Sequence, residues 1–176
     1  MLIVRNNIAQ TPMKLTQPHW NLDPLDVRIL TLLQQDASLS NQELAKRVHL
    51  SPAPCLRRVR RLIDSGIIEA TVALVDRRQV GLQLLAYAFV SLESHRTTSS
   101  EQFEETMRRR PEVLECVRLS GDHDYLARVV AASMEDYSRF LDQHVLRFAA
   151  VRSVSSSFEL RVLKRTTALP MPDLRR

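Results

Sequence analysis

Apolar positions along the chain follow two different periods. Over 23–66, three short segments carry apolar residues at helical spacing, each opened by a capping signal. Asp23 followed by Pro24 opens the first, with Leu25, Ile29, Leu32 and Leu33 on one stripe. Ser40 opens the second, with Glu43 three residues on in a capping-box pattern and Leu44 and Val48 as its stripe. Ser51 and Pro52 repeat the cap-plus-proline signal and open the third. There Leu56, Val59, Leu62 and Ile63 point one way, and Gly66 stops the helix. Beyond it the period shortens. Residues 67–75 are β-branched or small and alternate loosely, which predicts a strand. Residues 82–92 form a near-continuous apolar run that suits a buried strand. A helix capped by Ser99 or Ser100 is expected to run to Arg110 and end at Pro111. Strands follow over 113–119 and 125–131, around a turn at 120–123. A helix capped by Ser133 is expected to reach Phe148, and a last strand to cover 151–163.

The order is three helices and a strand, a connector, then β-α-β-β-α-β. The second pattern is the ferredoxin-like split βαβ unit. The expected fold class is α+β: an N-terminal helix-turn-helix, winged-helix-like, and a C-terminal ferredoxin-like βαββαβ sandwich. Two separate cores imply two small domains. The expected division is a flexible tail over 1–20, a helix-turn-helix domain over 21–75, a linker over 76–81, a second domain over 82–165 and a loose tail over 166–176. Within the first tail, Met13 followed by Lys14 reads as an alternative start. Each domain lies near the lower size limit for independent stability, and oligomerisation is one way around that.

Composition narrows the chemistry. The chain has 176 residues, 44% hydrophobic and 26% charged, an ordinary soluble balance. Its three glycines, Gly66, Gly81 and Gly121, are too scattered for a glycine-rich nucleotide loop. Cys55 and Cys116 lie far apart, which excludes a C-x-x-C zinc or redox motif. No apolar run approaches the ~18 residues of a membrane span, so the expected compartment is the cytoplasm. No G-x-S-x-G, H-E-x-x-H or Cys–His nucleophile pattern marks an enzyme.

Charge then singles out one helix. The net charge is +5, and residues 51–61 carry Arg57, Arg58, Arg60 and Arg61 with no acid. Four arginines alone also fit a solvated helix face. A capped, proline-started helix after a short turn adds the second helix of a helix-turn-helix, which enters the major groove. On that reading Ser51, Ala53, Pro54 and Arg57 lie near bases, Pro52 belongs to the same DNA-binding stretch, and Arg58 and Arg61 contact phosphate. Cys55, beside Leu56, reads as a core residue. Arg108, Arg109 and Arg110 read as a solvated helix end. Asp122, His123 and Asp124 around Gly121 read, taken alone, as a polar hairpin turn. Adjacent residues rarely converge on one ion, so no metal is expected there.

Two motifs carry a family resemblance. Leu22, Asp23, Asp26, Ile29, Leu30, Asn41, Glu43, Leu44, the run from Ser51 through Leu56, Arg58, Val59, Arg60, Arg61, Leu62, Gly66, Ile67 and Ile68 resemble the Lrp/AsnC family of leucine-responsive-type regulators. The run Ser120, Gly121, Asp122, His123, Asp124, Tyr125 is similar to that family's Ser-Gly-Asp-x-Asp-Tyr turn. The resemblance covers roughly 22–164. It implies a sequence-specific transcriptional regulator that partners double-stranded DNA, itself (as a homodimer or octamer) and a small amino-acid-like effector, with no cofactor. Effectors in the family bind near the acidic turn at contacts between dimers. Carried over, the effector residues are Arg118, Ser120, Gly121, Asp122, Asp124, Tyr125 and Met134, with Asp122 or Asp124 accepting from an α-ammonium group. Tyr125 fits interface packing equally well. The strand over 82–92 becomes a candidate dimer core.

Two positions depart from the family pattern: His49 stands where the turn usually carries glycine, and His123 where the residue is often aromatic or apolar. Two other readings remain. One is an architectural DNA-packaging protein of low sequence specificity. The other is a tetrapyrrole decarboxylase-like enzyme, whose added His, Tyr and Arg run is not seen over 81–87.

Overall fold

A computed structural model of the chain describes residues 22–93 and 97–171, and for 97–99 only the backbone. The tail expected over 1–20, with its Met13 start, lies outside the described residues. The described residues divide into two compact units, 22–73 with 164–171, and 74–93 with 97–163.

The first unit holds α1 (Pro24–Gln35), α2 (Asn41–Arg47) and α3 (Pro52–Asp64). Local chemistry sets the first two starts. The Asp23 carboxylate accepts the Asp26 N–H at 2.9 Å, and Asp26 accepts the Asp23 N–H at 3.1 Å. Ser40 and Glu43 form the same reciprocal box at 3.2 and 2.9 Å. The third start differs: Ser51 has extended cap backbone, but its side chain makes no capping bond. The core is Ile29, Leu30, Leu44, Ala45, Val48, Cys55 and Leu62. Cys55 is fully buried, and burial pushes its thiol up. Ile63, expected on the apolar stripe, is instead 44% exposed. One residue beyond Leu62 turns it about 100° away from the core.

The α2–α3 turn is closed by backbone. Leu50 N–H donates to Ala45 C=O at 2.9 Å and His49 N–H to Lys46 C=O at 3.2 Å, the Schellman pattern. That pattern needs a left-handed residue, and His49 supplies it at φ 57°. A non-glycine residue there costs about 1–2 kcal/mol, partly offset by the ~0.5–1 kcal/mol of extra chain entropy a glycine loses. His49→Gly is therefore expected to leave the Tm unchanged or to raise it, as read by thermal melting. A clear fall would show that the exposed imidazole bonds specifically.

Two expectations fail in this unit. Residues 67–75 form no strand. Ile68 packs on the core and its N–H bonds Leu62 C=O at 3.0 Å, but Val72, Leu74 and Val75 are exposed. β-propensity needs a pairing partner, and the described residues of this unit offer no other strand. The C-terminal tail is also not loose over its described part. Leu169 N–H donates to Gln34 Oε1 at 2.6 Å, Gln34 Nε2 donates to Leu169 C=O at 3.2 Å, and Met171 packs on the core of the first unit.

The second unit runs β1 (Leu84–Leu92), α4 (Thr97–Arg109), β2 (Val113–Arg118), β3 (Tyr125–Ala131), α5 (Met134–His144) and β4 (Val151–Phe158). The sheet order is β2-β3-β1-β4, antiparallel throughout. Ala86, Ala88 and Val90 of β1 and Tyr125, Ala127 and Val129 of β3 face one way. They bury Phe103 and Met107 of α4 and Tyr137 and Phe140 of α5. Tyr87, Phe89, Leu126 and Arg128 alternate onto the opposite face, half-buried.

Element ends shift for physical reasons. α4 already runs at Thr97, so Ser99 and Ser100 lie inside it and are not its cap. β4 stops at Phe158, not 163, because its partner β1 ends there: Phe158 pairs Ala86, and Glu159 N–H makes a last bond to Leu85 C=O. Leu160 and Leu163 beyond it are exposed. α5 ends at His144, short of Phe148. The linker is pinned by Arg77, which donates to Glu159 at 2.8 Å and to Leu82 C=O at 2.8 Å.

Candidate nucleic-acid interface and effector turn

The start of α3 is presented outward. Ser51, Pro52 and Ala53 are exposed and Pro54 is half-buried. Asn41, at the start of α2, donates from Nδ2 to Pro52 C=O at 2.9 Å and ties the two helix starts together. Arg57 and Arg60 are exposed. Pro54, Arg57, Arg58 and Arg61 line a shallow depression of about 340 Å³. The positions are i, i+3, i+4 and i+7, one helix face.

Two of those arginines are already engaged. Arg58 Nη1 donates to Asp26 Oδ1 at 2.8 Å and also to Asp23, and Arg61 Nη2 donates to Asp26 Oδ2. Asp26 is fully buried, and the Arg58 and Arg61 side chains are 27% and 52% exposed. The paired carboxylates hold the Arg58 guanidinium above its ordinary range, and the Asp23 carboxyl is held low against its own desolvation by the Asp26 N–H and Arg58. The sequence marked Asp23 as a cap. It did not show that Asp26 reaches helix α3, because nothing local ties residues 32 to 35 positions apart.

The second site lies where β2 turns into β3. Gly121 has φ 141°, a conformation side chains rarely adopt, and Ser120 and Asp122 beside it are exposed. Asp124 binds this turn to the end of β1. Its N–H donates to Val90 C=O at 2.9 Å, its Oδ2 accepts the Leu92 N–H at 2.7 Å, and its C=O accepts the Leu119 N–H at 2.8 Å. The ladder between β1 and β4 shifts register between Ser91 and Leu92, at the same place. Buried Ser91 donates weakly to Asp122 C=O and lies 3.1 Å from His123 Nδ1. The His123 ring lies 5.3 Å from Phe89. Ser91 and the His123 contact were not legible in the sequence. The three adjacent residues do not converge: Asp124 turns to Leu92 and His123 to Ser91.

The remaining candidates separate. Arg118 is exposed at the end of β2, paired with Tyr125 across the ladder. Tyr125 is 2% exposed and donates from its hydroxyl to Glu104 Oε1 at 2.6 Å. Burial and the Glu104 carboxylate push its phenol up to about 12. It is a core residue facing α4. Met134 is 53% exposed and opens α5, beyond the far end of β3 from the turn. Six residue steps along β3 at about 3.4 Å each span about 20 Å. One chain therefore does not bring Met134 to Asp122 and Asp124.

Known proteins match both units. Residues 22–69 match the winged helix-turn-helix DNA-binding family and residues 85–169 the Lrp/AsnC ligand binding domain. The DNA-binding transcriptional activator DecR of Escherichia coli K12 is 39% identical over 150 residues, 85% of this chain and 99% of its own. The transcriptional regulator AzlB of Bacillus subtilis is 35% identical over 153 residues, 87% of this chain and 98% of its own. A crystal structure of a transcriptional regulator from Neisseria meningitidis in complex with L-Met superimposes with a TM-score of 0.81 at 40% identity. It covers 85% of this chain and 96% of that one. These relatives are regulators and not enzymes. No helix among the described residues is long and apolar enough to cross a membrane. The exposed, arginine-bearing α3, the antiparallel βαββαβ sheet and these matches agree: the chain belongs to the Lrp/AsnC family of DNA-binding transcriptional regulators, with a ligand-binding domain behind its helix-turn-helix.

Proposed function

We propose that this regulator reads a specific DNA site with α3 and is tuned by an amino acid or related metabolite held at the 120–124 turn. The observation that carries the effector reading is the 40% identical regulator solved with L-Met. The turn suits such a ligand: Asp122 offers an exposed carboxylate to an ammonium group, and Gly121 opens the backbone beside it. Reading DNA goes with a place in the cytoplasm. Met134 can join this turn only from another copy, which goes with a homo-oligomer. The helix-free sheet face carrying Tyr87, Phe89 and Leu126 supports the same reading. Effector binding then shifts the placing of paired α3 helices, provided the two states bind it with different affinity.

The test is a titration of DNA upstream of the protein's own gene against unrelated DNA at fixed salt, with and without a pooled amino-acid mixture. Selective binding that the pool alters is the expected result. Equal, weak binding to both favours the architectural reading instead. Asp122→Asn checks the site. The residue is exposed, so the Tm should hold, and losing a charge-assisted bond should weaken the effector response about 10- to 100-fold. An unchanged response would remove Asp122 from the site.

A further inference from the structure

Four arginines on α3 suggest four cations for DNA phosphates, yet α1 has claimed two of them. Asp23 and Asp26 sit at the cap and third position of α1, three residues apart; Arg58 and Arg61 sit three residues apart on α3. The two pairs face one another and their charges cancel. Arg58 touches both carboxylates, and Asp26 spends one oxygen on each arginine. Asp26 has 0% exposure, so water does not compensate it when an arginine leaves. A phosphate that captured Arg58 or Arg61 would strand a buried carboxylate. Arg57 and Arg60, exposed on the same helix, have no carboxylate partner among the described residues.

We propose that Asp26 is a positioning and selectivity residue of the DNA interface: it binds Arg58 and Arg61 to α1, orients α3, and leaves Arg57 and Arg60 as the helix's phosphate contacts. The inference rests on α3 being the DNA-reading helix. It gives that helix a lower sequence-independent affinity than its arginine count implies. Phosphate attraction is blind to sequence, so withholding two cations favours base readout over phosphate binding. Arg58 and Arg61 thereby change role, from phosphate contacts expected on charge alone to struts within the first unit.

The experiment measures binding of the full chain to a mixed-sequence DNA duplex across a range of salt, for the parent and for Asp26→Asn. Asparagine keeps the shape and can still accept the Asp23 N–H, but it frees the Arg61 guanidinium and leaves Arg58 with Asp23 alone. The expected result is a salt slope steeper by about 1–2 per chain and affinity at 0.15 M salt higher by roughly 5- to 30-fold, at about 0.9 released counterions per phosphate. Preference for the upstream DNA over the mixed duplex falls in parallel. A folded Asp26→Asn protein with the parent slope, or with affinity lowered at unchanged slope, overturns the inference and leaves α3 as the reading helix. A parent protein that fails to bind duplex at low salt overturns the reading beneath it instead. Where Asp26→Asn does not fold, Asp23→Asn decides. Asp23 is 43% exposed and asparagine caps equally well. It removes one of the two partners of Arg58, so a smaller steepening is expected, and a parent slope counts against the proposal.

Discussion

Replacing Arg57 and Arg60 together by alanine is expected to weaken binding to mixed-sequence DNA by roughly 30-fold at 0.15 M salt and to lower the salt slope by about 2 per chain. Counterion release sets the size: about 0.9 ions per neutralised phosphate makes each contact worth about five-fold at that salt. Both side chains are exposed, so the Tm should move by less than ~0.5 kcal/mol equivalent. Arg58→Ala with Arg61→Ala should do the reverse. It strips Asp26 of both cations and leaves a buried charge unpaired, which costs about 3–5 kcal/mol and lowers the Tm. Its salt slope, measured on the folded fraction, should stay near the parent's. Fluorescence anisotropy against salt, with thermal melts on the same preparations, reads both variants. Equal loss of affinity and slope in the two pairs would return Arg58 and Arg61 to phosphate contact.

Tyr125→Ala is expected to unfold the second unit's core, at about 3–5 kcal/mol for an aromatic truncated at a buried position. Tyr125→Phe keeps the ring between Phe103 and the sheet and removes only the bond to Glu104, at about 1–2 kcal/mol. The two differ most at high pH. The folded phenol titrates at about 12 and the unfolded one near its ordinary 10.0. Between those values the folded chain holds a proton that the unfolded chain has lost, so stability present below pH 10 falls as the pH rises to 12. Cys116 acts in the same direction. Burial first, then the Glu104 charge, raise its thiol from 9.0 to about 11, so its contribution fades from pH 9 to 11. Unfolding measured against pH should show a decline from pH 9 upward in the parent, and Tyr125→Phe should lose the Tyr125 part of it between pH 10 and 12 while the parts from Cys116 and the other buried thiol and phenol, Cys55 and Tyr137, persist. A Tyr125→Phe protein of parent stability that loses its effector response would instead make Tyr125 a ligand contact.

Several features were legible in residue order because their causes are local. Asp23, Pro24, Ser40, Glu43 and Ser133 name their helix starts, since a cap bonds within three residues. β3 begins and ends where the strand is expected, at Tyr125 and Ala131. His49 stands where the resembled family carries glycine, and the backbone there is left-handed at φ 57°. The misreadings share the opposite cause. Residues 67–75 have the composition of a strand, but a strand exists only where another chain segment accepts its bonds. The described part of the tail looked loose because Pro170 and its neighbours show no period, while Gln34 and the first unit's core hold it from 135 residues away.

What the sequence by itself determined is therefore the class of protein: two units, a helix-turn-helix before a βαββαβ sheet, an arginine-bearing third helix and an acidic glycine turn. Capping, periodicity and turn chemistry act over a few residues and survive in the order of the letters. Only the tertiary structure decided how the charged and polar groups are spent. It set Arg58 and Arg61 against Asp26, buried the Tyr125 hydroxyl on Glu104, tied Asp124 to Leu92 and put Met134 a strand's length from the turn. Charge and hydrogen-bonding capacity are visible in a sequence. Their partners depend on which distant segments pack together, and packing also sets the burial that makes each pairing cost or stabilise.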